Sequence, residues 1–527
     1  MVFSSPVFLF LFLPACLAAA FLAAALDRWL AHRKHQRAAR ALHALETIEA
    51  PVSPDAPIEE APTTTTTTTT TTSLPPDPAS APFPHPLQNI ALLTFSVIFY
   101  IYGSGWHFLI MLGSVLTSWL AAIVMGVVAR RGVVLAIAVA LQLGWLAYFK
   151  YANFVVDQVG TIGKALGLGK IAWAPVLLPI GISFFIFQSV SYVIDVYRRE
   201  TLARRNFFDL ALYIMLFPQL IAGPIVRYVH VAAEIDLRHA RVHDVAHGAT
   251  RFIFGLFKKL VLADSVALLA DAAFALPPGE MTSSAAFLGA IAYTFQIYFD
   301  FSAYSDMGIG LGRMFGFRFP ENFNRPLAAT SITDFWRRWH MTLSSCFRDY
   351  VFVPLGGSRG SAFQTYRNLW LVFLLSGLWH GASWTFVAWG AFHGALLTIE
   401  RIAGVKPDRG PTWRRVLTFA LVVIGFTLFR AETFAQATHF YRHMLLPLDW
   451  SVPVTLLEVL THKNLLALSA AIATLFLPLS FVSGRFLVDG NGAAAQVARF
   501  IVMTVFAVYA GGIVASSNFS PFIYFRF

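Results

Sequence analysis

Charge is scarce in this sequence. Asp, Glu, Lys and Arg make up 13% of the 527 residues, while hydrophobic residues make up 57%. A water-soluble domain carries roughly twice that charged fraction, which excludes a soluble enzyme and points to a polytopic membrane protein. The mean hydropathy of +0.63 agrees. Cysteine is scarcer still. Cys16 and Cys346 are the only two, so there is no disulfide framework, and neither has metal-ligand spacing. Acidic residues are outnumbered, 28 against 39 Lys and Arg, for a net charge of +11. The excess falls in short loops beside apolar runs, as in cytoplasmic loops of membrane proteins, so no nucleic-acid partner is expected. No repeat of fixed period is evident, which weakens an inverted-repeat transporter.

Basic residues are also missing ahead of the first apolar run, Val7 to Leu26, whereas Arg28, Arg33, Lys34, Arg37 and Arg40 follow it. That asymmetry favours a retained helix over residues 1–26 with a periplasmic N-terminus, rather than a cleaved signal peptide. Residues 27–87 contain an unbroken Thr run, Thr63 to Thr72, with much Pro and little apolar surface. They are expected to form a disordered cytoplasmic loop. Transmembrane helices follow over 88–172, then a core over 173–400, then C-terminal helices and an aromatic tail over 401–527. Spans are expected near Gln88–Tyr102, Phe108–Ala129, Val133–Tyr151, Ala174–Tyr197, Ala246–Ala273, Ala285–Phe301, Val416–Phe429, Leu465–Phe481 and Ala498–Ala515. Pro218, Gly223 and Pro224 break the run Phe207–Val229, which is tolerated inside a membrane only where protein or a cavity satisfies the backbone. Lys258 and Lys259 fall inside an apolar run and are expected to face an interface or a cavity.

The functional candidates lie between Phe323 and Arg401. Trp379-His380-Gly381 interrupts the apolar run Leu369–Leu397, and an ionisable group at membrane depth is costly enough to imply use. Imidazole titrates near neutrality and takes a proton from a hydroxyl, so His380 is the candidate general base. Gly377 and Gly381 allow close approach of another backbone or a ligand. His393, in the same run, is read as structural. Ser331 and Asp334 fit a capping box, and Ile332, Phe335, Trp336, Trp339, Leu343 and Phe347 recur at helical spacing. They predict one amphipathic helix at the cytoplasmic interface, with His340 at the edge of its stripe. Packing and interfacial roles remain the alternatives for His380 and His340. Asp300 and Asp306 do not share a helix face, which argues against a glycosidase pair and for hydrogen bonding to backbone or histidine. Arg337, Arg338, Arg348, Arg359 and Arg367 form a basic collar suited to topology, or to the phosphates of an acyl carrier. Cys346 has no activating base at obvious spacing, so a thiol nucleophile is not expected.

Several segments carry a family resemblance: Tyr298–Asp306 (YFDFSAYSD), Glu321–Pro326 (ENFNRP), Thr333–His340 (TDFWRRWH), Phe347–Tyr350 (FRDY) and Leu378–Trp384 (LWHGASW). So do Met1–Ser5, Pro179–Phe185 and Phe522–Phe525. Together they resemble the membrane-bound O-acyltransferases, and within them the alginate O-acetyltransferase branch. The resemblance implies an all-α multi-helix bundle with a central funnel and with re-entrant and interfacial helices. It implies transfer from a cytoplasmic thioester, acetyl-CoA as donor substrate, to hydroxyls of an exported polysaccharide. No bound cofactor or metal is implied. His380 and His340 match its two histidine positions, with Asp300, Tyr304, Asn324, Arg337 and Arg348 as substrate-binding candidates. A bacterial inner-membrane location and periplasmic esterase-like or acetyltransferase partners follow from the same resemblance. Cys346 stands where the family usually has Trp, and Leu327 where Tyr usually follows Asn-Arg-Pro. The Thr-rich loop is an insertion. A D-alanyl transferase fed by a carrier protein and an enzyme acetylating another polymer such as cellulose are sibling alternatives. A transporter with an intramembrane His/Asp path is the alternative of a different class.

Overall fold

The computed structural model describes residues 2–46, 83–167, 171–238, 241–407, 410–446, 449–476, 493–516 and 522–523. Among them the regular secondary structure is helical apart from one two-residue antiparallel pair, Phe83–Pro84 with Leu237–Arg238. Five described helical stretches are long and apolar enough to cross a membrane: Phe8–Lys34, Pro86–Val127, Arg131–Ala165, Thr412–Arg430 and Gln496–Ser516. The first half contains α1 (Leu13–Glu46), α2 (Pro86–Ser104), α3 (Phe108–Val127) and α4 (Arg131–Ala165). Short helices α5 (Ile182–Arg198), α6 (Phe207–Met215), α7 (Phe217–Leu220) and α8 (Tyr228–Asp236) follow, then α9 (Val242–Phe257) and α10 (Asp264–Phe274).

Residues 27–46, expected in a disordered loop, are helical. α1 continues to Glu46, and buried Asp27 accepts from the backbone N–H of Leu87 and Gln88 at 3.2 and 3.1 Å, tying α1 to the start of α2. The Thr run lies outside the described residues. The break expected over Phe207–Val229 is present: α6 stops at Met215, and α7 places Pro218 in its first turn, where no intrahelical donor is lost.

The centre is α11 (Ser283–Met314), 32 residues, capped by Thr282, whose hydroxyl accepts from Ala285 N–H. At 1.5 Å per residue it is about 48 Å long. It is buried almost all round, as a helix without a polar face must be. α9, α10 and α16 (Thr412–Arg430) pack on it. Gly248 and Gly310 lie where α9 and α11 touch, each against the other's carbonyl, so a side chain at either would separate the helices.

Charges lock the same contact. Lys258 and Lys259, expected at an interface or cavity, are instead 3% and 4% exposed on a π-helical turn after α9. Lys258 Nζ lies 2.5 Å from Asp306 and 3.1 Å from Ser302, and Lys259 Nζ 2.7 Å from both Asp300 and Asp264. Arg251 joins Asp306 to Glu321 at 2.7 and 2.5 Å. The extra residue of the π turn presents two consecutive lysines to two carboxylates that α11 holds six positions apart. Asp300 and Asp306 therefore face cations, and Asp300 also accepts from the backbone N–H of Ile523 at 2.7 Å.

Removing Asp306 leaves Arg251 and Lys258 buried with one carboxylate between them. Breaking such a buried pair costs roughly 3–5 kcal/mol. Asp306→Ala is expected to lower the thermal unfolding midpoint of the detergent-purified protein clearly, and an unchanged midpoint would contradict this role.

Candidate functional site

The remaining helices build the site: α12 (Ile332–Arg338), α13 (Met341–Phe347), α14 (Ala362–His380), α15 (Trp384–Ile402) and α16. The N-terminus of α12 has its free backbone donors answered twice. Ser331 Oγ accepts from Asp334 N–H at 2.9 Å. Glu400 of α15 accepts from Ile332 N–H, Thr333 N–H and the Thr333 hydroxyl at 2.5, 2.9 and 2.7 Å. A carboxylate there also matches the positive end of the helix dipole.

The single interfacial helix expected over Ser331–Tyr350 is two short helices inside the fold. Ile332, Phe335, Trp339 and Leu343 are buried, whereas Arg337 and Arg348 remain exposed. Between α12 and α13 the backbone turns at His340, with φ 42° and ψ 54°, a left-handed conformation in which His is among the better tolerated residues. The break is held by segment 322–324. Asn324 N–H donates to Arg338 O and Met341 N–H to Asn322 O, each at 2.9 Å. The turn drives the His340 ring inward to complete burial.

Asn322 orients that ring. Its Oδ1 receives Thr342 N–H at 3.3 Å and the Thr342 hydroxyl at 2.9 Å, while its Nδ2 donates to Ser305 Oγ at 3.0 Å. Thr342 Oγ1 accepts from Ile225 N–H at 3.0 Å, which directs its own proton to Asn322. A backbone N–H only donates, so the atom facing His340 Nδ1 at 3.1 Å is an oxygen, and Nδ1 carries the hydrogen. Neutral His340 therefore keeps its lone pair on Nε2. That nitrogen is buried without a hydrogen-bond partner among the described residues.

His380 is the last residue of α14. After a turn at 381–383, α15 runs back against α14, and a side chain at Gly377 or Gly390 would strike the opposing backbone. The run read as one segment is thus a hairpin, and His393 lies on its second helix, where its Nδ1 accepts from Trp336 Nε1–H at 3.3 Å. The last carbonyls of α14 are answered from α4. Tyr151 hydroxyl donates to Leu378 O at 2.7 Å, and Lys150 Nζ donates to Trp379 O and, at 3.3 Å, to His380 O. The His380 ring is 3% exposed and stands edge-on to Trp379, Trp389 and Phe429, with centroids 4.8, 5.1 and 5.1 Å away. The Trp379 ring lies 6.0 Å from that of His340, so one indole adjoins both histidines.

Two cavities adjoin this cluster. The larger, about 240 Å³, is walled by Trp336, Phe347, Leu369, Phe373 and Ser376, with Arg337 and Arg348 also lining it. The smaller, about 40 Å³, is lined by Lys150, Pro179, Ser183, Ile221, Trp379 and His380. Ser376 stands one helical turn before His380, and Trp389 touches both Trp336 and His380, so a thin aromatic wall separates the two. Arg337 and Arg348 are thus brought to one cavity and His380 to the other, with His340 beside Trp379. Asp300, Tyr304 and Asn324 line neither. Tyr304 stacks on Phe3 at 4.4 Å and packs against Phe522 at 4.7 Å, beside the Asp300–Ile523 bond. Asn322 and Lys150 are the residues that sequence reasoning missed. For Lys150 a signal existed, a lysine late in an apolar span. Asn322 sits in a motif that drew attention to Asn324 instead.

A family model described as MBOAT, membrane-bound O-acyltransferase family, matches residues 180–429, which include both histidines and the lining of the larger cavity. The chain is 47% identical over 379 residues to a protein of Azotobacter vinelandii named "Probable alginate O-acetylase AlgI", covering 69% of this chain and 74% of that one. Proteins of the same name from Pseudomonas aeruginosa and Pseudomonas putida are 46% identical over 407 residues and 41% over 468. The first covers 76% of each chain, and the second covers 84% of this chain and 94% of the relative.

The hydrogen-bond chain through Asn322 predicts that His340 is an Nδ1–H tautomer. Nitrogen-15 NMR of histidine-labelled protein in lipid at neutral pH is expected to show an unprotonated Nε2 for the resonance that His340→Gln removes. Asn322→Leu is expected to mix the two tautomers. A protonated Nε2 in the unmutated protein would contradict the derivation.

Proposed function

The chain belongs to the membrane-bound O-acyltransferase family, and on that premise we propose that it passes acetyl groups from cytoplasmic acetyl-CoA toward hydroxyls of an exported, alginate-like polysaccharide. It is an integral membrane O-acyltransferase. The observation that carries the fuller reading is the pair of unlike cavities, one lined by Arg337 and Arg348 and the other by Lys150 and His380. A slot with apolar walls and two guanidinium groups suits a slender thioester arm bearing phosphates, because arginine pairs with phosphate through two parallel hydrogen bonds. The small cavity presents His380 from the opposite side.

In this reading Arg337 and Arg348 mark the cytoplasmic end. Arg198 donates to Asp349 O at 3.0 Å, so the basic end of α5 lies at the same level. The N-terminus is then periplasmic, the membrane is the bacterial inner membrane, and esterase-like periplasmic proteins carry the group onward. His380 takes the proton of the attacking hydroxyl, the oxygen bonds to the thioester carbonyl carbon, the C–S bond breaks, and the proton leaves on the thiol. A positioned base of this kind contributes about 10²–10⁴-fold. His340, its Nε2 lone pair directed by Asn322, shares the proton handling. Asp300 and Tyr304 serve by fixing the chain's two ends beside Phe301, whose ring stands 4.6 Å from His340.

The test is the O-acetyl content of exported polysaccharide in cells whose membranes hold equal amounts of each variant. His380→Ala is expected to remove acetylation with polymer yield intact. Unchanged acetylation would overturn the role of His380, and loss of the polymer itself would favour a transporter. With purified protein, Arg337→Ala plus Arg348→Ala is expected to raise KM for acetyl-CoA at least about threefold with kcat held, the signature of lost uniform binding. Turnover only after a carrier protein is added would assign the donor to a carrier thioester.

A further inference from the structure

Lys150 is a partly buried ammonium group that reaches from α4 to the end of α14. Its three donor hydrogens face three acceptors: Trp379 O, His380 O at 3.3 Å and Ser183 Oγ at 3.4 Å. It also stands 5.8 Å from the Trp379 ring centroid. The carbonyl end of a helix carries about half a negative charge, so a cation is well matched there. Capping alone does not require one. The neighbouring carbonyl, Leu378 O, is satisfied by the neutral Tyr151 hydroxyl at 2.7 Å. A lysine at membrane depth is costly, and such residues are characteristically found on functional paths.

The place of this cation is as informative as its bonds. Lys150 and His380 line the same small cavity, and the indole that Lys150 holds is the one adjoining both histidines. Trp379 is itself stacked on Phe187 of α5, 5.6 Å away and 8° from parallel. The end of α14 is thus gripped by α4 through Lys150 and by α5 through Trp379. Beyond it the chain turns away at Gly381, whose missing side chain makes room for the Phe386 ring. No following helical turn supports His380, so the backbone that carries its ring is held by this grip, while Trp389 and Phe429 flank the ring itself.

We propose that Lys150 is a positioning residue for His380, fixing the carbonyl end of α14 so that the imidazole faces the incoming hydroxyl. The inference rests on the acyl-transfer reading above. A base displaced by about 1 Å loses up to about a hundredfold in rate without any change in donor binding. Lys150 lies outside the larger cavity, so its loss should leave KM for the thioester unmoved.

The experiment uses the full chain in lipid nanodiscs with acetyl-CoA and mannuronate oligosaccharide, reading released thiol and oligosaccharide O-acetyl. Lys150→Met is expected to lower kcat roughly ten- to a hundredfold with KM for acetyl-CoA within about twofold. Lys150→Arg is expected to recover much of the rate. Tyr151→Phe removes the neutral cap one carbonyl earlier and faces no cavity, so it is expected to keep more than half of it. Should Lys150→Met not fold, Lys150→Gln retains an N–H donor and reads the same quantity. An unchanged kcat, a rise in KM alone, or an equal loss in Tyr151→Phe would overturn the positioning role. A wild-type protein that turns over neither acetyl-CoA nor a carrier-protein thioester would instead overturn the acyl-transfer reading on which it rests.

Discussion

A polar group held in the apolar slab of a membrane must find its partner within the protein, because no water is there to replace it. The interior of this chain is arranged by that constraint. Asn322 satisfies His340, Thr342 and Ser305 at once. Lys150 and Tyr151 answer the open carbonyls of α14, and Glu400 answers the open amides of α12. The lysines and carboxylates between α9 and α11 neutralise one another in pairs. Each of these links joins segments far apart in sequence, so satisfying the polar groups also fixes the relative positions of the helices that carry the histidines.

His340 Nε2 is among the buried acceptors that no described protein donor meets. It lies across Trp379 from His380, while Trp389 stands between Trp336 of the larger cavity and His380 of the smaller. A thin wall between two openings is what transfer between a donor on one side and an acceptor on the other requires. The energetic advantage comes from geometry more than from exotic chemistry, since holding reactants in line removes much of the entropic barrier. The rings of Trp336, Trp379, Trp389 and Phe429 supply rigid, water-excluding surfaces around the imidazoles.

Much of this was legible in the sequence. His380 announced itself by interrupting an apolar run, and the membrane class followed from the shortage of charge. The broken run around Pro218 was readable for the same reason, since proline cannot continue a helix interior. What local pattern concealed was produced by contacts distant in sequence. The helical periodicity of Ile332 to Phe347 continues across His340 as if nothing happened, and only the backbone bonds from Asn322 and Asn324 reveal the left-handed turn. Lys258 and Lys259 looked like interface residues because the α11 carboxylates they meet, Asp306 and Asp300, lie more than 35 residues away. Asn322 and Asn324 are chemically alike and two positions apart, so nothing local says which one turns inward.

The central claim is that a thioester donor enters between α12 and α14 and presents its carbonyl to the histidine pair. A cryo-electron microscopy map of the protein with a non-hydrolysable thioether analogue of acetyl-CoA tests this most directly. The account predicts phosphate density beside Arg337 and Arg348, with the pantetheine arm running past Phe373 and Ser376 toward Trp379. An analogue seated elsewhere, with that cavity empty and the histidines far from its acetyl mimic, would contradict it.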